Sequence, residues 1–523
     1  PDEWENLFLE GPKFISIHPK QDSLYFVAPN ARYNYKDHII YAEGVKFIKA
    51  ADATIYTADG NVTIEKDAVM QTINNAKIIA NSTSRHHTIY NASVNIYGKK
   101  NYNAFGDYDF INITKQPQTI HLTKIAVDAS GQSYGTGTIL EPDNFTISPY
   151  YKYQGDVTFY ANNPELEFNG AAKIIDDCDT TIFGWVKFKS FLDPEDIFIK
   201  IDSITYNINN TRLCSGLVLA NSNQLYPAFL TRKRNQYDQE IFSASGHLHY
   251  DQDDGKFIIA PKDKISENSL PGNLIRRHKS ICNVYGEGKF EFSQDFGLFK
   301  PNAIGNFMWY PDTDTTEINV SMIADAYFSN AALKAMADKL NSTGGLSGLN
   351  VRDDVFEKAL IEFLGTKKAD EWFSNLSLGN YNKFPKELEN KLIFTDLQFY
   401  WHRALTSFVH YGPIGIANLG KEQVNKYVFG FIRIEKSRRG DVFEMLLEPD
   451  YSTWYYIRYS AGTFTIISSD ENFNNIVYNQ KPNQREKTEN GVFYQYGLGS
   501  SSYMKRFKKD MYKFFKLDES IDE

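Results

Sequence analysis

The chain is poor in most of the features that mark common function classes. Cysteine is scarce: Cys178, Cys214 and Cys282 are the three in 523 residues, too few for a disulfide scaffold and without the CxxC spacing of a zinc or dithiol site. No run approaches the roughly 18 consecutive apolar residues that a membrane-spanning helix needs, so no transmembrane helix is expected. A strong charge of one sign is also missing: a formal net charge of −9 at this length supplies no basic field, which argues against nucleic acid as a partner. Helical periodicity is nearly absent before residue 310. No catalytic signature stands out, so no catalytic residue, metal ligand or cofactor is assigned and the activity class stays uncertain, leaning away from an enzyme.

What the chain does have is aromatic residues and strands. Aromatics make up 15% of the sequence, with 34 Tyr and 38 Phe, and such side chains favour pleated, half-buried surfaces. A short motif recurs: glycine, then alternating apolar and polar residues, as in Gly60-Asn-Val-Thr-Ile64, Gly106-Asp-Tyr-Asp-Phe110, Gly155-Asp-Val-Thr-Phe159, Gly184-Trp-Val-Lys-Phe188, Gly246-His-Leu-His-Tyr250 and Gly288-Lys-Phe-Glu-Phe292. Period-two alternation buries one strand face, and a leading glycine suits a corner or a close backbone approach. The motif predicts that Val62, Ile64, Val157, Phe159, Val186, Phe188, Phe290 and Phe292 point inward, while Thr63, Thr158, Lys187 and Glu291 point out.

The expected fold is mainly β, with elongated stacked β-jelly-roll or solenoid-like sheets, a small helical insert and a C-terminal antiparallel sheet. Residues 1–310 read as the repetitive β-jelly-roll region and 311–391 as the helical insert. Asp353 caps the run Val355, Phe356, Ala359, Leu360, Phe363 and Leu364, whose polar face is Glu357, Lys358 and Glu362. Residues 392–500 form the antiparallel domain, in which 480–490 reads as a polar mobile loop, and 501–523 a basic amphipathic tail. The first residue is Pro1 rather than Met, which predicts an upstream signal peptide, lipidated cysteine or further domain.

Candidate chemistry is sparse. His247 and His249 share a strand face without an evident third ligand, and Asp251-Gln-Asp-Asp-Gly255 lacks the spacing of an EF-hand loop, so both read as hairpin residues. The acidic clusters Asp176-Asp177-Cys178-Asp179 and Asp312-Thr-Asp314 contain the residue type used in glycoside hydrolysis, although acidic turns are far commoner. Arg439-Gly440-Asp441 reads as a hairpin turn. Asn61, Asn81, Asn91 and Asn112 open Asn-x-Ser/Thr triplets, which carry glycans only in a secreted eukaryotic protein. Cys178 and Cys282 each precede a Gly-led strand; they read as buried thiols, or as a pair in an oxidising compartment.

The tail holds an apolar stripe, Met504, Phe507, Met511 and Phe514, beside Lys505, Arg506, Lys508 and Lys509. A helix of this pattern suits an anionic membrane or a partner groove, or packs its stripe on the preceding domain.

The run Ser23-Leu-Tyr-Phe-Val-Ala-Pro-Asn-Ala-Arg-Tyr33, followed by Ile40-Tyr-Ala-Glu-Gly-Val-Lys-Phe47 and Ala51-Asp-Ala-Thr-Ile-Tyr-Thr-Ala-Asp-Gly-Asn-Val-Thr-Ile64, resembles the OstA/LptA repeat. The resemblance covers about residues 20–300 and implies open β-jelly-rolls in the Gram-negative envelope, with an apolar groove shielding acyl chains; the eight inward residues above would line that groove. The whole chain is also similar to long envelope proteins of Bacteroidetes, a group to which no activity is attached. The leading expectation is a noncatalytic protein of the bacterial envelope, periplasmic or outer-membrane associated, that binds a lipid, a glycan or a protein partner. A carbohydrate-active enzyme on a β-helix or sandwich, and a surface adhesin, are the alternatives.

Overall fold

The computed structural model describes residues 11–178, 184–292, 296, 299–325, 327–378, 385–437, 440–489 and 491–517. The chain is mainly β, built from large antiparallel sheets. It divides into two compact units, one comprising Pro1–Ile201 with Thr205–Arg212 and the other Asp202–Ile204 with Leu213–Glu523. The boundary falls inside the strand-rich stretch 1–310. The helices of 311–391 and the strands of 392–500 share the second unit for a simple reason: Thr315–Asp325 and Lys391–His402, which flank the helices, pair with each other in one sheet.

In the first unit, β1 (Lys13–Ile15) and β2 (Tyr25–Val27) form a ribbon. Next come β3 (Asn30–Asn34), β4 (Ile39–Glu43), β5 (Phe47–Ala50), β6 (Ala53–Tyr56) and β7 (Val62–Ile64). Strands β3, β4 and β7 make a small sheet, while β5 and β6 begin the main one, which continues strand by strand to Val186–Leu192. Side chains sort by parity along it. Tyr151, Tyr153, Val157 and Phe159 are buried, whereas Lys152, Gln154, Thr158 and Tyr160 lie at the surface. Val186 and Phe188 are buried around an exposed Lys187. The ring of Phe168 packs 4.9 Å from Tyr153 and 5.7 Å from Phe110, at the centre of an aromatic core.

The motif glycines divide: Gly246 opens its strand and Gly60 and Gly184 lie just before theirs, as expected, whereas Gly106, Gly155 and Gly288 lie within strands. Gly155, at φ +136°, faces Gly170 in mid-sheet, and a Cβ on Gly155 would stand 2.4 Å from the Gly170 Cα. Backbone proximity excludes a side chain here, as well as a conformation that L-residues avoid.

In the second unit each strand from Lys300–Tyr310 onward pairs with the next described strand, through Thr463–Ser468. Val492–Leu498 then adds in parallel to Thr463–Ser468, and Glu486–Glu489 closes that edge. The 480–490 segment therefore contains a short helix, Pro482–Arg485, and an edge strand instead of a mobile loop, tied further by the Tyr327 hydroxyl donating to the Gln484 carbonyl at 2.8 Å.

Helices Asn330–Ser342 and Asp354–Leu364 are capped by Ser329, which accepts from Ala332 N, and by Asp353, which accepts from Val355 N at 3.1 Å and Phe356 N at 3.4 Å. Phe356, Leu360, Trp372 and Phe373 pack with Ile323, Ile393 and Ala417 of the sheet. The polar face is not free in water as the periodicity predicts. Lys358 lies 3.0 Å from Glu287 and 3.2 Å from Asp354, and Glu362 accepts from Gly272 N at 2.6 Å. The carboxylate of Glu287, itself buried, also meets Lys264 at 2.9 Å and accepts from the Tyr285 hydroxyl at 2.8 Å. Removing one member of such a network would leave a buried charge uncompensated.

Candidate functional site

An apolar cavity of about 500 Å³ lies at the amino-terminal end of the first unit. Its wall combines Phe14 and Ile15 of β1, Phe26 of β2, Ile40 of β4 and Ile64 of β7 with Ile17, Leu24 and Met70. Pairing sets this up. Phe14 faces Phe26 across the ribbon with rings 5.4 Å apart, Ile40 faces Ile64, and Ile64 bridges to Met70. The connection between β1 and β2 folds back through Pro19–Gln21, where the His18 side chain accepts from Lys20 N and Ser16 N donates to the Leu24 carbonyl at 2.8 Å. Gln21, buried, donates to the Ala68 carbonyl at 2.5 Å and joins this connection to the opposite wall.

Two features distinguish the cavity from ordinary packing. The first is exposure: Leu24, Phe26 and Met70 are buried at its floor, but Ile15 is 54% exposed and Ile17 98% exposed at its mouth. Large apolar side chains grouped at an opening are what a binding site presents. The second is backbone conformation. Asp67 and Ala68 in the wall both have φ near +60°, as do Asp22 and Ser23 beside it, and adjacent non-glycine residues in this region carry local strain. The ionisable side chains of the wall are His18, Glu65 and Asp67, so its rim is acidic. Such a rim suits an apolar ligand with a neutral or cationic head group and repels a free carboxylate.

Of the eight inward residues expected to line a groove, Ile64 is in this wall. Val62 is buried beside it in β7. Val157, Phe159, Val186 and Phe188 lie in the packed layer of the main sheet, and Phe290 and Phe292 stack at 5.5 Å within the second unit. Phe14, Ile15, Ile17 and Phe26 were not singled out from the sequence. Phe14, Ile15 and Phe26 lie on strands of three residues and Ile17 in the connection between them, too little for a periodic signal.

His247 and His249 are half-buried opposite Ala260 and Ile258, and no cluster of three or more His, Cys, Asp or Glu able to hold a metal occurs among the described residues. Asp251 caps its hairpin by accepting from Asp253 N and Asp254 N. Asp314 accepts from Trp309 Nε1 at 3.1 Å and Gln224 Nε2 at 2.7 Å, and Asp176 and Asp177 lie in irregular backbone, with Asp179 outside the described residues. Arg439 is also outside them. Asp441 pairs with Lys436 at 2.9 Å across the hairpin. Asn112 is buried and bonded to Thr114 and Thr146, so its amide cannot accept a glycan.

The segment 501–523 begins with a helix, Ser501–Phe515, whose stripe is already used. Met504, Phe507 and Met511 are buried against Val409, Phe431, Leu446 and Tyr456, with Phe514 partly buried beside them. Lys508 pairs with Glu448 at 2.9 Å, whereas Lys505, Arg506 and Lys509 remain exposed.

One acid escaped the sequence reading. Asp396, at φ +57° where the pairing of its strand shifts, accepts from the Tyr427 hydroxyl at 2.6 Å. Burial raises its pKa, the Tyr427 bond opposes the rise and the nearby Asp353 charge adds to it; burial first, then Asp396, push Tyr427 up to about 12. The pair joins two strands next to the Asp353 helix cap.

Cys178 and Cys282 are disulfide-bonded, and Cys214 is a buried free thiol that donates to the Thr231 carbonyl. No helix among the described residues is long and apolar enough to cross a membrane. No protein-family model, curated protein or solved structure matches the chain.

Proposed function

We propose that this is a noncatalytic binding protein of a bacterial cell envelope and that its amino-terminal cavity holds the apolar part of an amphiphile, such as an acyl chain. The observation that carries the reading is the cavity itself: its volume of about 500 Å³ falls in the range of small-molecule sites, and its mouth displays Ile15 and Ile17 to solvent. The resemblance of residues 23–64 to the OstA/LptA repeat supports the same ligand class, because those residues supply Leu24, Phe26, Ile40 and Ile64 of the wall. The disulfide-bonded state of Cys178 and Cys282 supports an oxidising compartment, such as the periplasm or the outer membrane surface.

The test is solvent extraction and mass spectrometry of the natively purified chain, followed by titration with a fluorescent acyl probe. A co-purifying amphiphile is expected. Ile64→Glu should reduce probe binding at least tenfold while the unfolding midpoint of the rest of the chain is retained. Phe159→Glu would be uninformative, since Phe159 is 1% exposed and a buried charge there would unfold the layer. An empty protein that also fails to bind the probe would overturn the reading.

A second reading, glycan binding, rests on the outer face of the main sheet of the first unit. Asn95 donates to Asn103, Asn103 to the Tyr97 hydroxyl and Ser93 to Asn74, while Tyr97 and the neighbouring Phe105 are about half exposed. Amides beside exposed rings suit hydroxyl-rich, flat ligands. Phe105→Ala would weaken retention on immobilised polysaccharide if this face is used, and would leave probe binding unchanged.

A further inference from the structure

We propose that the carboxy-terminal helix docks the second unit onto an anionic lipid bilayer through its basic face, in a peripheral contact that uses none of its apolar stripe. At about 100° per residue, Lys505, Arg506, Lys509 and Lys513 fall within an arc of about 100°, and Lys516 follows at the left-handed cap that ends the helix. The buried Met504, Phe507 and Met511 project from the opposite side. Packing therefore fixes the direction in which the cations face. All five are exposed, and among the described residues none is ion-paired, unlike Lys508 with Glu448 or Arg433 with Asp510 on the flanks of the same helix.

Five unneutralised cations, four on the helix and one at its cap, stand out in a chain of net charge −9, and charge complementarity selects an anionic partner. The surroundings favour a bilayer over a nucleic acid. At the end of the helix that carries Lys513 and Lys516, Phe515 lies 4.8 Å from Tyr411, whose ring is 5.4 Å from Phe429, and both Tyr411 and Phe429 are exposed. At the other end Tyr503 is exposed, with Arg458 over its ring. Tyrosine and phenylalanine flanking a row of lysines match the depth profile of a membrane surface, where rings sit among head groups and cations meet phosphates. The sequence after the helix carries Asp518, Glu519, Asp522 and Glu523, which oppose the attraction.

Flotation of the full chain with phosphatidylcholine vesicles, with and without phosphatidylglycerol, tests the proposal. Binding is expected only to vesicles containing phosphatidylglycerol, and is expected to be lost at high salt. Neutralising three charges together, Lys505→Gln with Arg506→Gln and Lys509→Gln, should weaken it about a hundredfold, since each surface cation contributes close to a factor of five. Lys513→Gln with Lys516→Gln should weaken it by more than tenfold. All five side chains are exposed, so both variants should keep the parent unfolding midpoint. A chain ended at Leu517 should bind at least as tightly. Equal binding to both vesicle types, salt-insensitive binding, unchanged binding by either variant, loss on truncation at Leu517, or tighter binding to duplex DNA than to vesicles would each overturn the assignment.

Discussion

The hydroxyl of Tyr153 lies over Gly170, 2.7 Å from where a Cβ at that position would stand, and donates to the Asp156 carbonyl at 2.7 Å. The same Cβ would meet the Gln154 carbonyl oxygen at 2.2 Å. Gly170→Ala should therefore destabilise the first unit by about 1–3 kcal/mol, the usual cost of overpacking. Because the nearest obstacle is backbone, removing the hydroxyl in a Tyr153→Phe background should not restore stability. Urea unfolding of the single and double variants decides; a neutral Gly170→Ala would disprove the close approach.

Leu360 is fully buried between the Asp354–Leu364 helix and the sheet. Its truncation to Ala should cost about 2–5 kcal/mol, in line with other core leucines. The contrasting site is Lys367, exposed on the next helix, where Ala should change stability by less than about 0.5 kcal/mol. Paired chemical-denaturation curves would measure both.

Stability should fall in mild acid because of His410. Burial is the main cause that lowers its pKa to about 4, only partly opposed by hydrogen bonding to backbone such as Gln398. The folded chain keeps the ring neutral, while the unfolded chain protonates it below about pH 6.5. Stability from this group is thus complete above about pH 6.5 and is lost progressively down to about pH 4, by about 3 kcal/mol in all. His410→Gln should flatten the unfolding free energy over that window, although His87, also lowered mainly by burial, leaves a residual slope.

Thiol titration in denaturant gives a fourth check. Before reduction one reactive thiol per chain is expected, mapping to Cys214, and after reduction three. Three thiols in unreduced protein isolated from an oxidising compartment would contradict the bonded state.

Legibility varied with the range of the information. Alternation marked Val157, Phe159, Val186 and Phe188 as inward and Lys187 as outward, because parity is local to a strand. Asp353 announced its helix for the same reason: the cap and the runs it starts are adjacent in sequence. Pairings between distant segments left no such trace. The Thr315–Asp325 and Lys391–His402 strands are separated by the helices, so the unit boundary near residue 201 was hidden by an uninterrupted series of strands. The cavity was hidden too, since its wall joins Phe14, Phe26, Ile40 and Met70 from four separate short segments. The basic tail was legible as an amphipathic helix, but only tertiary packing on Phe431 and Tyr456 separates its core side from its open side.

The strand Glu486–Glu489 ends the large sheet with four exposed residues, Glu-Lys-Thr-Glu, three of them charged. An open sheet edge offers unpaired amides and carbonyls to any passing strand, and charge at that edge is a recognised deterrent to self-association. The short, charged final strand thus acts as a stopper: it satisfies the inner strand Val492–Leu498 and presents to neighbouring molecules a surface on which another sheet cannot readily dock. For a protein with so much of its chain committed to sheet, the residues that guard the last hydrogen-bonding row govern how concentrated its solutions can become before chains associate edge to edge.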